Sequence, residues 1–263
     1  MSGTVRLGGM ALANGVLVHG PTSWACAIRT EDGEVKVAAR RKRTFASGVS
    51  NPLLRGPARL AEAFALLPQV RRALPEARLP FERPRVVGAM LGSVMAGNAV
   101  RKSRLGAGSQ EILSGLLSIA PALLALRGGE VASYHGAEHV TIGSYEHGES
   151  RPREHERCGT HLVGPLLLTT AAANVAVRRL PEASHKAGRA AAALGAVAAS
   201  TEIFGWMTRN PDHALSRALA RPGHELQHRV ATAEPTAEQL EVADAALRAC
   251  LELEAAEHVD ADA

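Results

Sequence analysis

The chain has 263 residues, enough for one large domain or two small ones, and that size excludes a disulfide-stapled miniprotein. With 46% hydrophobic and 21% charged residues it is not a disordered chain, but Trp 2, Tyr 2 and Phe 4 are too few aromatics to fill a core, which falls to 49 Ala and 25 Gly. The net charge of +4 rests on 26 Arg among 30 basic residues, spread along the chain rather than gathered in a stripe, so nucleic acid is not expected as a partner.

Small side chains favour close helix contacts over a Val/Ile/Tyr-rich sandwich. The expected fold is mainly α: a helical bundle of apolar, Ala/Gly-rich helices with a small N-terminal β-hairpin. Residues 1–45 form the hairpin segment and residues 46–263 the helical domain, as one structural unit. Cys26, Cys158 and Cys250 are odd in number and far apart, which argues against a secreted disulfide framework and for a reducing compartment. Met1 to Asn14 has no apolar run ending in a cleavage site, so export is not expected.

In chain order, residues 22 to 40 read as two short alternating runs joined at Glu31-Asp32-Gly33-Glu34, where Asp-Gly suits a tight turn. The tract Arg40-Arg41-Lys42-Arg43 behind it suits either anionic lipid or, more simply, a solvated strand exit. From Pro57 to Leu74, Leu60, Phe64, Leu67 and Val70 recur at helical spacing, and Pro68, Pro75 and Pro80 break it, giving one interrupted amphipathic helix. Apolar stretches follow at 84–100, 112–126, 162–177 and 190–207. They fall at or below the ~20 residues of a membrane-spanning helix, and their flanking Arg and Lys leave membrane helices and buried helices both open. Glu202 inside the fourth is costly in lipid unless it has a function. From Glu238 on, Leu240, Ala243, Leu247 and Leu251 share one helical face, and Glu257 to Ala263 reads as a polar tail.

Of the 11 histidines, His135, His139, His147, His155 and His161 crowd into one short segment, which opens Tyr134-His135-Gly136-Ala137-Glu138-His139. On a helix His135 and His139 project from one face and can grip one ion, with Glu138 beside them. Neutral imidazoles suit a divalent metal, zinc above all, and a neighbouring carboxylate can take a proton from an activated water. Glu146, His155 and Cys158 are the candidates for further ligands. For Glu146 a solvated loop carboxylate, and for Cys158 a small buried hydrophobe, are the simpler alternatives. His147, His161, His185, His213, His224 and His228 read as surface or packing residues.

This cluster, with Thr141-Ile142, Tyr145-Glu146, His155 and Arg157-Cys158-Gly159-Thr160, resembles the YqhQ family, bacterial proteins of unknown function labelled as predicted metal-dependent enzymes. The resemblance extends to Gly8-Gly9, Ala11, Gly15-Val16, Pro21, Trp24 and Asp32-Gly33, then to Arg55-Gly56, Leu60 and Glu62. It continues through Glu202 and ends with Pro222-Gly223, Gln227, Thr232, Glu234-Pro235, Gln239 and Glu241-Val242-Ala243. It departs at Asn14, where a glutamate is expected, and at Val140, where a lysine is. A glutamate that binds metal or moves protons in relatives would leave Asn14 as an altered site position. The resemblance implies a membrane-embedded protein.

The leading expectation is a metal-dependent, hydrolytic enzyme of the cytoplasmic membrane with His135 and His139 as ligands and Glu138 as base, its substrate and subunit number open. A cytoplasmic location is the alternative. The alternative function is a non-catalytic membrane scaffold or assembly factor with a structural metal, which needs a closed set of four protein ligands. In a third reading, without metal, His135, Glu138 and Glu146 bond one another and anchor Arg157. Glu202 favours a buried centre if it points into the cluster.

Overall fold

Alternation along residues 16–28 gives each face of a four-stranded antiparallel sheet its own set of apolar side chains. The strands β1 (Gly8–Ala11), β2 (Gly15–His19), β3 (Ser23–Arg29) and β4 (Val35–Arg41) lie in chain order, so β1 and β4 are the edges. The expected hairpin is β3–β4, with Gly33 at φ 88° in its turn. The computed structural model describes residues 4–127, 130–181 and 184–261. The side chain of His185 and those from Glu257 on lie outside the described residues.

Nine helices are labelled along the described chain: α1 (Pro52–Phe64), α2 (Leu67–Ala73), α3 (Pro84–Lys102), α4 (Ala107–Leu126), α5 (Glu130–His147), α6 (Val163–Val177), α7 (His185–Arg209), α8 (Ala214–Leu226) and α9 (Ala237–Ala261). Local signals set their starts. Asn51 caps α1 by accepting from the Leu53 amide at 2.9 Å, with Pro52 in its first turn. Thr236 and Gln239 exchange hydrogen bonds of 3.0 and 3.3 Å as a capping box before α9.

The sheet has helices on both sides. Val16, Val18, Ala25 and Ala27 pack against Val131, Tyr134 and Ala137 of α5 and Val242, Ala243 and Ala246 of α9. Leu17, Trp24, Cys26 and Ile28 pack against Leu67 and Val70 of α2. The helix α3 runs along α4, and α6 along α7. Cys26, Cys158 and Cys250 are all unpaired and buried.

Several sequence expectations are revised. The buried residue of α1 is not an apolar one but Glu62, while Phe64 is exposed. Its carboxylate accepts from the Phe45 and Ala46 amides at 3.0 and 2.9 Å and pairs at 3.0 Å with Lys42, whose side chain is only 6% exposed, so Lys42 leaves the solvated strand exit for the interior. Burying a charge requires such a partner. The expected face of α9 faces the core, with Ala243 and Leu247 buried and Leu240 and Leu251 packed against it, and it is widened by Val242, Ala246, Cys250 and Glu254; the helix continues to Ala261, into the expected tail.

Among the described residues, three helices are long and apolar enough to cross a membrane: Gly108–Leu126, Gly159–Val177 and Ala187–Arg209. Only 12%, 17% and 22% of these segments is buried within the protein, which a soluble core would not leave so open. The α3 stretch does not meet the same measure, but it also exposes Met90, Leu91, Val94 and Met95.

Candidate metal centre

His135 and His139 lie one turn apart on α5, and both are buried. Each ring is fixed by its Nδ1–H: His135 donates to the Ala231 carbonyl at 2.8 Å and His139 to the Arg153 carbonyl at 2.6 Å. The Nε2 lone pairs are thereby left for a ligand, the tautomer that backbone carbonyls impose on metal-binding histidines. The ring centroids are 4.3 Å apart. Cys158, 9% exposed, brings Sγ to 3.5 Å from His135 Nε2. One donor atom from each of His135, His139 and Cys158 lies within 4.8 Å of the others. Two imidazoles and a sulfur at this spacing suit a borderline ion such as zinc.

Supporting contacts come from distant segments. Gln227 starts a π turn, Gln227–Ala231, that ends at the carbonyl holding His135. The fully buried Gln227 amide accepts from the His155 N–H at 2.8 Å and donates to the His155 carbonyl at 3.2 Å and to Thr160 Oγ1 at 2.8 Å. It therefore clamps both ends of the loop that carries Cys158. Gly136 allows the close approach of this region, since a Cβ there would overlap the Ala233 carbonyl.

Glu138 sits beside the three donors, 7% exposed, with no hydrogen bond to its carboxylate among the described residues. Burial pushes its carboxyl up to about 7, against the pull of His135. Burial holds His139 well below the ordinary imidazole range, helped by His135, and raises the Cys158 thiol. Gly9 of β1 lies against the Glu138 carboxylate, and a Cβ there would overlap it. A cavity of ≈ 420 Å³ adjoins the cluster, with Gly9, Phe64, Phe81 and Leu126 in its walls beside His135, Glu138, His139 and Cys158.

The remaining candidates stand apart from this point. The His155 ring centroid is 5.5 Å from that of His139, but Nε2 meets Glu146 at 3.3 Å and Nδ1 accepts from the Arg157 amide at 3.2 Å. Glu146 also pairs with Arg157. Glu146, hydrogen-bonded to His155 and ion-paired with Arg157, thus forms a brace beside the cluster, and of the metal-free arrangement only the anchoring of Arg157 by Glu146 is present, without His135 or Glu138. Glu202 pairs with Arg55 of α1 rather than reaching the cluster. Asn14 is structural: its side chain donates to the Arg29 and Glu76 carbonyls at 3.1 Å each and accepts from the Arg78 amide at 2.9 Å. Sequence reading assigned no role to Gln227 or Gly9. A glycine in a short strand and a lone glutamine carry no spacing signal of their own, and both roles come from contacts with remote parts of the chain.

The chain carries a segment that matches the family described as protein of unknown function (DUF1385), residues 129–253. The matched segment begins at α5, includes His135, Glu138, His139, Cys158 and Gln227, and ends within α9. This is consistent with the YqhQ-like pattern. No curated protein and no solved structure matches the chain.

Proposed function

We propose that the protein is a metal-dependent hydrolase at the cytoplasmic membrane, with His135, His139 and Cys158 as the protein ligands of one divalent ion, zinc above all. The observation that carries this reading is the opening beside the three donors: a cavity of ≈ 420 Å³ reaches the buried Glu138 carboxylate. A structural ion is enclosed by four protein ligands, whereas a catalytic one keeps three and an accessible fourth position. His155 and Glu146, which could have closed the shell, are bound to each other.

When bound, such an ion supplies Lewis acidity, polarising a carbonyl and making a water acidic near neutral pH. The chain's own groups do the rest. Ala231 and Arg153 hold the two imidazoles in the ligating tautomer, and Gln227 keeps the Cys158 loop in place. Glu138 Oε1 or Oε2 takes the proton of the attacking water and delivers it to the leaving group. The apolar cavity walls exclude bulk water and strengthen these charges. Membrane placement rests on three long apolar helices that are largely uncovered, and the unpaired thiols suit the reducing side.

Elemental analysis of detergent-purified protein tests the site. Wild type retains about one divalent ion per chain and His139→Ala loses it, whereas equal content in both removes the proposal.

A further inference from the structure

The strand β1 has a partner on one side only. The Leu12 amide donates to the Gly15 carbonyl at 2.8 Å, which fixes the parity of the β1–β2 ladder: Gly8, Met10 and Leu12 direct N–H and C=O toward β2. Those of Gly9 and Ala11 point the other way, and among the described residues nothing bonds them. Unbonded donors and acceptors at every second residue are a template for another extended chain; on β1 the template is two residues long, since Ala13 beyond it donates to the Arg78 carbonyl at 2.8 Å, and Ala11 is 7% exposed. Here the template borders the cavity, for Gly8 to Ala11 line it together with His135, Glu138, His139 and Cys158. Gly9 sets the distance, because its missing side chain lets the Glu138 carboxylate lie against the same strand.

We infer that the substrate is a polypeptide, bound in extended form by strand addition to the free edge of β1. Outward groups of Gly9 and Ala11 bond alternate residues of the peptide, while Phe64, Phe81 and Leu126 receive its apolar side chains. The inference rests on the hydrolase reading and names its substrate class. A strand laid on this edge runs beside the face of β1 over which the Glu138 carboxylate lies, so one of its peptide bonds comes next to that carboxylate. The water oxygen bonds to the carbonyl carbon, the C–N bond breaks, and the proton taken by Glu138 goes to the departing amine. A lipid ester has no series of amides to use this edge.

The test uses full-length Glu138→Gln protein in detergent, with end-capped randomised octapeptides from which binders are selected. At saturation the Gly9 and Ala11 amides exchange hydrogen at least about tenfold more slowly, an effect of the kind that local protection produces. N-methylation of the selected peptide weakens binding at alternate positions only. Ala11→Pro, which removes one outward donor without touching the β2 ladder, weakens it about tenfold, near the loss expected for one hydrogen bond. Unchanged exchange at both amides, indifference to N-methylation, or failure to enrich any peptide overturns strand addition. Cleavage of acyl esters with both amides unprotected assigns the cavity to lipid instead. A peptide that binds in the alternating pattern yet survives incubation with the metal-loaded wild type leaves strand addition standing and removes the hydrolase reading.

Discussion

Cys158 Sγ stands 3.5 Å from His135 Nε2, although the two are 23 positions apart in the chain, with the Glu146–Arg157 brace in the intervening segment. Thiolate ligation predicts a spectroscopic signature. Protein loaded with cobalt in place of zinc should show a sulfur-to-metal charge-transfer band, absent in Cys158→Ser, and metal affinity in that variant should fall more than about tenfold. A band that persists in the variant removes Cys158 from the ligand set.

Gln227 reaches the centre only through the loop it clamps. Replacing it by Leu leaves the half-buried His155 N–H without its acceptor, at a cost of about 1 kcal/mol. Metal affinity should also fall about 10–100-fold, the usual effect of losing a group that positions ligands. Thermal unfolding and metal titration measure the two effects separately. A variant that loses stability but keeps full metal affinity would make Gln227 a packing residue and nothing more.

The helical part of the site was legible because α5 carries its own information: residues one turn apart share a face whatever the rest of the chain does, so His135, Glu138 and His139 could be placed together from spacing alone. Cys158 was legible as a candidate by chemistry, but its arrival at His135 depends on Gln227, 69 residues downstream of it, and no local pattern encodes that. The apolar stretches, likewise, were visible as helices. Their uncovered surfaces became apparent only when the fold showed that the other described residues bury little of them. The hairpin β3–β4 was marked by Asp32-Gly33, whereas β1, with Gly8-Gly9 in four residues, lacks the alternation that signals a strand. Glu202 stands out in the sequence because a glutamate in an apolar helix is costly unless it has a function or a partner. The structure meets that cost with Arg55, 147 residues away.

Gly9→Ala tests the contact between β1 and the site. The added methyl must displace the Glu138 carboxylate or the strand, and overpacking of this kind costs about 1–3 kcal/mol. Hydrolysis should fall while metal content stays at the wild-type level, since the atoms nearest the added methyl all belong to Glu138. Loss of the metal together with the activity would mean that β1 supports the ligands themselves rather than the carboxylate.

Membrane insertion is tested by extraction. With α4, α6 and α7 apolar and uncovered, the protein should remain in the membrane pellet through high salt and alkaline carbonate and enter solution only with detergent. Recovery in the salt wash would show that these helices lie against a surface or another protein instead of crossing lipid.

Acid stability should depend on Glu254, which joins α9 to the turn between β2 and β3. Its carboxylate accepts from the Thr22 and Ser23 amides at 2.9 and 2.7 Å and from their hydroxyls at 2.9 and 2.6 Å. Burial pushes its carboxyl up, but these hydrogen bonds outweigh it and hold the group below the ordinary value of 4.5. A lowered folded pKa means that the ionised form is favoured by folding. The resulting stability is present above 4.5 and is lost as pH falls through the folded value. Glu254→Gln cannot ionise, so it should be less stable than wild type by about 1–3 kcal/mol at pH 7, with the gap closing below the folded pKa. Denaturant unfolding of both proteins across this pH range measures the gap, and a difference that stays constant from neutral to acid pH would mean that the amide's shape, not the lost charge, is responsible.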